Sequence, residues 1–320
     1  MIRRLAACIL CLTGVTSAEE SAELRASIEL ALPYLETEGQ WWIKEKECVS
    51  CHHTTFFVWA KDLALEAGYP VDKTTLDEQR KWVWESFLTP IPPDPEVVEA
   101  TDPNETKETP QPPEEINGDR NVEGVSQLLV SASAKFVPET PQRLLRETIA
   151  SNQKSDGDWK PGGQLPRQKR PAKETQWISN QWATLALGKD AKLKAKPIMN
   201  SDAVAAKTNE WYAMNALLNP GKASIDDLLK RQNEDGGWSW MDGEASDPTG
   251  TGQALMALGR TGAAKDAEEA VAKARAFLLR TQTEDGHWET MSTKNRKEST
   301  RVSDFWGSAW AVIGLLEVER

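Results

Sequence analysis

Six consecutive residues carry the densest chemistry in the chain, Cys48-Val49-Ser50-Cys51-His52-His53. A Cys-x-x-Cys-His run places two thiols where they can add to the two vinyl groups of a haem, and the next residue faces the iron. Cys48, Cys51 and His52 are therefore the candidate attachment set for a covalent haem c, with His52 as the proximal iron ligand. Met241, Met291 and His287 are the candidates for the opposite axial position, since a Met or His partner makes a low-spin electron carrier. His53 is too near along the chain to reach the far face of the ring. Two other readings of the pair stay open. Cys48 and Cys51 suit a short disulfide in an oxidising compartment. A zinc site through the same thiols is the third, although adjacent histidines fit poorly into one tetrahedron and no second ligand pair is present.

The beginning of the chain agrees with export. Arg3 and Arg4, an apolar run from Leu5 to Val15 and the small residues Thr16-Ser17-Ala18 form a secretory signal, which places the mature protein in the periplasm or otherwise outside the cytoplasm. Cys8 and Cys11 leave with residues 1–18, so Cys48 and Cys51 remain as a pair without competitors. No later apolar run reaches the length of about 20 residues needed to cross a bilayer. The formal net charge of -11 disfavours nucleic acid and anionic membrane surfaces as partners, and suits a basic redox partner protein.

The elements that must position the motif are helical. Leu24, Ile28, Leu30, Leu32 and Leu35 give a mostly helical spacing over residues 19–36, with Pro33 inside it and Gly39 expected as its stop. Apolar segments at 55–65 and 76–88 predict two more helices, which completes an N-terminal unit over residues 19–88. Residues 89–117 are rich in proline and acid from Pro90 to Pro113, lack the apolar residues for a core, and form an extended insertion.

Residues 118–320 carry a repeat. Gln153 to Trp159, Gln232 to Trp238 and Gln282 to Trp288 all fit Gln-x-x-x-Gly-x-Trp, and Gly39-Gln40-Trp41 supplies a degenerate fourth copy. In each, an amphipathic helix runs into the Gln, Gly supplies the turn and Trp anchors it. A second, more apolar helix follows, predicted around 55–65, 178–187, 252–258 and 305–316. Helices apolar all round are buried and amphipathic ones cover them, so two concentric layers are implied. Most of the 14 tryptophans sit at repeat-equivalent positions, as packing anchors.

These copies, each followed by a helix of the Gln253-Ala254-Leu255-Met256-Ala257-Leu258 kind, resemble the repeats of the terpenoid cyclase and protein prenyltransferase (squalene cyclase-like) superfamily. The resemblance implies an all-α fold, an α/α toroid whose inner helices surround an apolar cavity. It is greatest to exported repeat-containing members that also carry Cys-x-x-Cys-His near the start. The enzymes' chemistry does not carry over: there is no Asp-x-Asp-Asp motif, and no cysteine after Cys51 to complete a prenyltransferase zinc set.

Three functions follow as expectations. The first is an exported haem c protein for electron transfer or ligand sensing. The second is a non-catalytic ring that binds an isoprenoid, glycan or protein, with Cys48 and Cys51 as a disulfide. The third is a haem oxidoreductase acting on an apolar substrate in the cavity.

Overall fold

Residues 17–49, 53–92, 115–189, 191–201 and 204–320 are described by a computed structural model, in which they form an all-helical chain with isolated β-bridges and no strand among the described residues. The helices are α1 Ser17–Lys46, α2 Thr54–Glu66, α3 Lys73–Leu88, α4 Asn117–Arg120, α5 Val122–Val130, α6 Glu139–Ser151, α7 Ala172–Leu187, α8 Asn209–Leu218, α9 Lys222–Leu229, α10 Pro248–Arg260, α11 Glu268–Thr281 and α12 Arg301–Glu317. None of them is long and apolar enough to cross a membrane. The signal segment up to residue 16 and most of the Pro-rich insertion, residues 93–114, lie outside the described residues.

Two layers are distinguishable by burial. Along α2, every residue from Thr54 to Ala64 is buried, and α12 and α10 are buried along almost their whole length. In contrast, α6 and α11 bury only one stripe. The buried helices pack in cyclic order: α2 on α5, α5 on α7, α7 on α8, α8 on α10, α10 on α12, and α12 back on α2. Outside them, α1 covers α2 and α12, α3 covers α2, α6 covers α5 and α7, α9 covers α8, and α11 packs on both α10 and α1.

The repeated Gln and Trp side chains tie these layers together. Each Trp indole N–H donates to the carbonyl ten residues earlier, on the preceding outer helix: Trp159 to Ile149, Trp238 to Leu228 and Trp288 to Leu278. Each Gln amide closes its own turn on the Gly carbonyl and reaches the next unit. Gln153 bonds Gly157 and Ala195, Gln232 bonds Gly236 and Ala270, and Gln282 bonds Gly286 and Ser27, all at 2.8–2.9 Å. The third of these links the last repeat to α1. Gly286 has φ +91°, and a Cβ there would lie 2.2 Å from the Leu30 carbonyl oxygen, so both the turn and the close approach require glycine. Gln282→Leu should lower the unfolding free energy by about 1–3 kcal/mol, because two carbonyls lose their donor. A urea titration reads this as a lower midpoint; an unchanged midpoint would mean that the link carries no stability.

The fourth copy is not a turn. Helix α1 continues through Pro33 and Gly39 to Lys46, so Gly39-Gln40-Trp41 lies within a helix. Gly39 is there for proximity: a Cβ would sit 2.6 Å from the Phe57 ring of α2. The carbonyl of Pro33 accepts from Thr37 Oγ1 at 2.9 Å.

Candidate functional site

The first turns of the buried helices gather at one end. Glu174 of α7 accepts from the Thr208 amide that precedes α8, Asn209 of α8 donates to Gly250 of α10, and His53 before α2 stacks on Phe305 of α12. At this end, α1 stops at Lys46, and Glu47 takes φ +43° as the chain turns back towards α2.

Two aromatic residues fix that return. The Trp42 indole N–H donates to the Cys48 carbonyl at 2.9 Å, and the same ring stacks on His53 at 4.0 Å and 20°. On its other face, His53 lies against Phe305 at 4.2 Å and 4° and is fully buried. Trp42 therefore holds both ends of the segment from Cys48 to His53. Asn121, which caps α5, donates to the Val49 carbonyl at 3.4 Å. Cys51 and His52 lie outside the described residues. Cys48 carries a free, exposed thiol, and the burial it does have pushes the thiol above its ordinary pKa.

Cys48 opens onto a cleft of about 720 Å³, within the range of about 300–1,000 Å³ usual for ligand sites. Trp42, Ile43, Val49 and Trp82 give it apolar walls; Arg120, Arg167 and Lys294 bring positive charge to it, against the single acid Glu47. Arg120 is paired with Glu115 at 2.7 Å. A flat apolar ring with two carboxylates would fit this lining: the indoles and aliphatic chains could take the ring, and the basic side chains its acids.

The three distal candidates lie elsewhere. His287 sits in the last repeat turn, stacked on Tyr34 at 5.0 Å, with Nδ1 2.7 Å from Asp285. Met241 pairs with Thr208 in an isolated bridge, and Met291 pairs with Ser299 and is 40% exposed. None of them lines the cleft beside Cys48.

A second polar constellation escaped the sequence reading. Arg170, in the loop before α7, is completely buried and pairs with Glu210 of α8 at 2.8 Å. Glu210 also accepts from Trp182 at 2.9 Å, and Arg170 lies over the Trp240 ring at 5.1 Å. Glu123 of α5 joins them; burial first, and the charge of Glu210 second, push its carboxyl well above the usual carboxylate range. The available signal was acid and amide at core positions of the short apolar helix 122–130, Glu123 and Gln127. The sequence matches no family model and no curated protein.

Proposed function

We propose that this is an exported c-type haem protein, which uses an α/α toroid as a rigid support and serves in electron transfer or ligand sensing. The observation that carries the reading is the clamped Cys48 segment opening onto a cleft with apolar walls and three basic side chains. The repeats' resemblance to squalene cyclase-like proteins and the cyclic packing of the buried helices support the toroid. Cys48 and Cys51 would hold the group through thioether bonds and His52 would ligate its iron. Bound there, it would supply one-electron chemistry or an iron that takes a diatomic ligand.

The protein's own contribution is orientation and shielding. Trp42 and His53 fix the chain on both sides of the attachment residues. Trp82 and Ile43 would shield the group from water, and Arg167 and Arg120 would pair with its carboxylates. Expression with a haem c maturation system, followed by denaturing electrophoresis and haem staining, tests the reading. The wild-type band should stain and the Cys48→Ala/Cys51→Ala band should not. An unstained wild-type band with two thiols that resist alkylation until reduced would favour the disulfide instead.

A further inference from the structure

Charge is unevenly placed on this molecule. The chain has 38 lysines and arginines against 49 aspartates and glutamates, yet the cleft beside Cys48 is bordered by two loops in which that balance is reversed. Between Trp159 and Glu174 there are bases and no acid. Of these, Lys160, Arg167, Lys169 and Lys173 are exposed and, among the described residues, have no ion-pair partner; Arg170 is buried on Glu210. In the second loop, residues 289–299, Lys294 lines the cleft and Lys297 is exposed, while Arg296 is bound to Glu244 at 3.2 Å. The Lys169 amide donates to the Thr293 carbonyl at 2.8 Å and so joins the two loops. Gly162 lies against α4, where its Cβ would stand 3.1 Å from the Arg120 carbonyl oxygen. The bases therefore belong to one face around the cleft.

The acids on that face do not cancel them. Glu115 is taken up by Arg120, Glu47 lines the cleft, and Glu289 and Glu298 are exposed in the second loop. At physiological ionic strength the Debye length is about 8 Å, so a docking partner responds to the face it approaches and little to charge on the far side. Exposed bases spread over two loops, with no convergence on one pocket, suit a broad acidic surface better than a small anion. An extended polyanion or an anionic membrane would also meet the acidic remainder of a chain whose formal net charge is -11.

We propose that this face docks an acidic protein, with the Cys48 cleft at its centre. Calling that partner a one-electron carrier rests on the haem reading above; the docking face does not. One electron would then pass between the partner's redox centre and the haem iron, with no bond made or broken. Local charge thus selects a partner opposite to the basic one that the overall charge suits.

The test uses the full mature chain, which includes the acids of residues 93–114 that lie outside the described residues. A plant-type [2Fe–2S] ferredoxin, an acidic one-electron carrier, is the protein probe, and phosphatidylglycerol vesicles are the membrane comparator. By calorimetry, ferredoxin should bind at low ionic strength and weaken steeply as salt is added. Lys169→Glu/Lys173→Glu should weaken the binding about tenfold or more. Lys189→Glu/Lys265→Glu makes the same change of charge beyond the last turns of α7 and α10, at the opposite end of the helices, and should leave the affinity within about twofold. Haem staining of the same samples is read separately: a chain without haem that binds ferredoxin in this pattern keeps the docking face and loses only the electron-carrier role. No binding of ferredoxin at low ionic strength, equal losses in the two variants, or vesicle binding lost in Lys169→Glu/Lys173→Glu in place of ferredoxin binding would overturn the proposal.

Discussion

Gly252→Ala should unfold or severely destabilise the protein, with a loss of about 3 kcal/mol or more, at the upper end of what overpacking produces. At this point α10 and α12 touch backbone to backbone. A Cβ on Gly252 would lie 2.2 Å from the Trp310 carbonyl oxygen and 2.3 Å from its carbon, and neither can move without shifting α12. The contact runs in both directions, because a Cβ on Gly314 would lie 2.6 Å from the Gly252 carbonyl oxygen. A second close approach occurs two turns further along, where a Cβ on Gly259 would lie 2.3 Å from the Glu317 carbonyl oxygen. The effect is purely steric, and Gly221→Ala supplies the comparison: it has open space and extended backbone, so it should change stability by well under 1 kcal/mol. Chemical unfolding of both variants checks this; equal midpoints would mean that the two helices are not in contact at Gly252.

Arg170→Met is expected to cost about 3–5 kcal/mol, because it strands the Glu210 carboxylate among buried neighbours. Both side chains are almost wholly inaccessible, so solvent cannot compensate. Glu210 keeps only the Trp182 indole as a donor. Removing the second charge should restore much of the loss: Arg170→Met/Glu210→Gln retains a group that still accepts from Trp182 and carries no charge. The coupling between the two substitutions is the quantity to measure, from unfolding free energies around the double-mutant cycle. A single substitution as mild as an ordinary surface change, or strictly additive effects, would contradict the buried pair.

Helix type and layer were legible in the sequence because each repeat states its own boundaries. The predicted inner segments 55–65 and 305–316 became Thr54–Glu66 and Arg301–Glu317, and 252–258 lies inside Pro248–Arg260. Gly39 failed as a stop because glycine serves two ends: it allows left-handed turns, as at Gly157, Gly236 and Gly286, and it allows close packing, as here against Phe57. Nothing local distinguishes them. The clamp on the cysteine segment was half visible, since Trp42 is six residues from Cys48, but Phe305 comes from the far end of the chain. The buried Arg170 constellation was hidden for the same reason: its members at 123, 170, 210 and 240 meet only when α5, α7, α8 and α10 pack side by side. Charged residues at core positions were the one trace it left.

The proposed function rests on the cysteine segment. The measurement that tests this most directly is a pyridine haemochrome spectrum of protein purified from a host with a haem c maturation system, quantified per chain after acid–acetone extraction. One extraction-resistant haem per chain is expected, with the spectrum of thioether-linked haem, absent in Cys48→Ala/Cys51→Ala. A folded protein from the same host that carries no haem would contradict it.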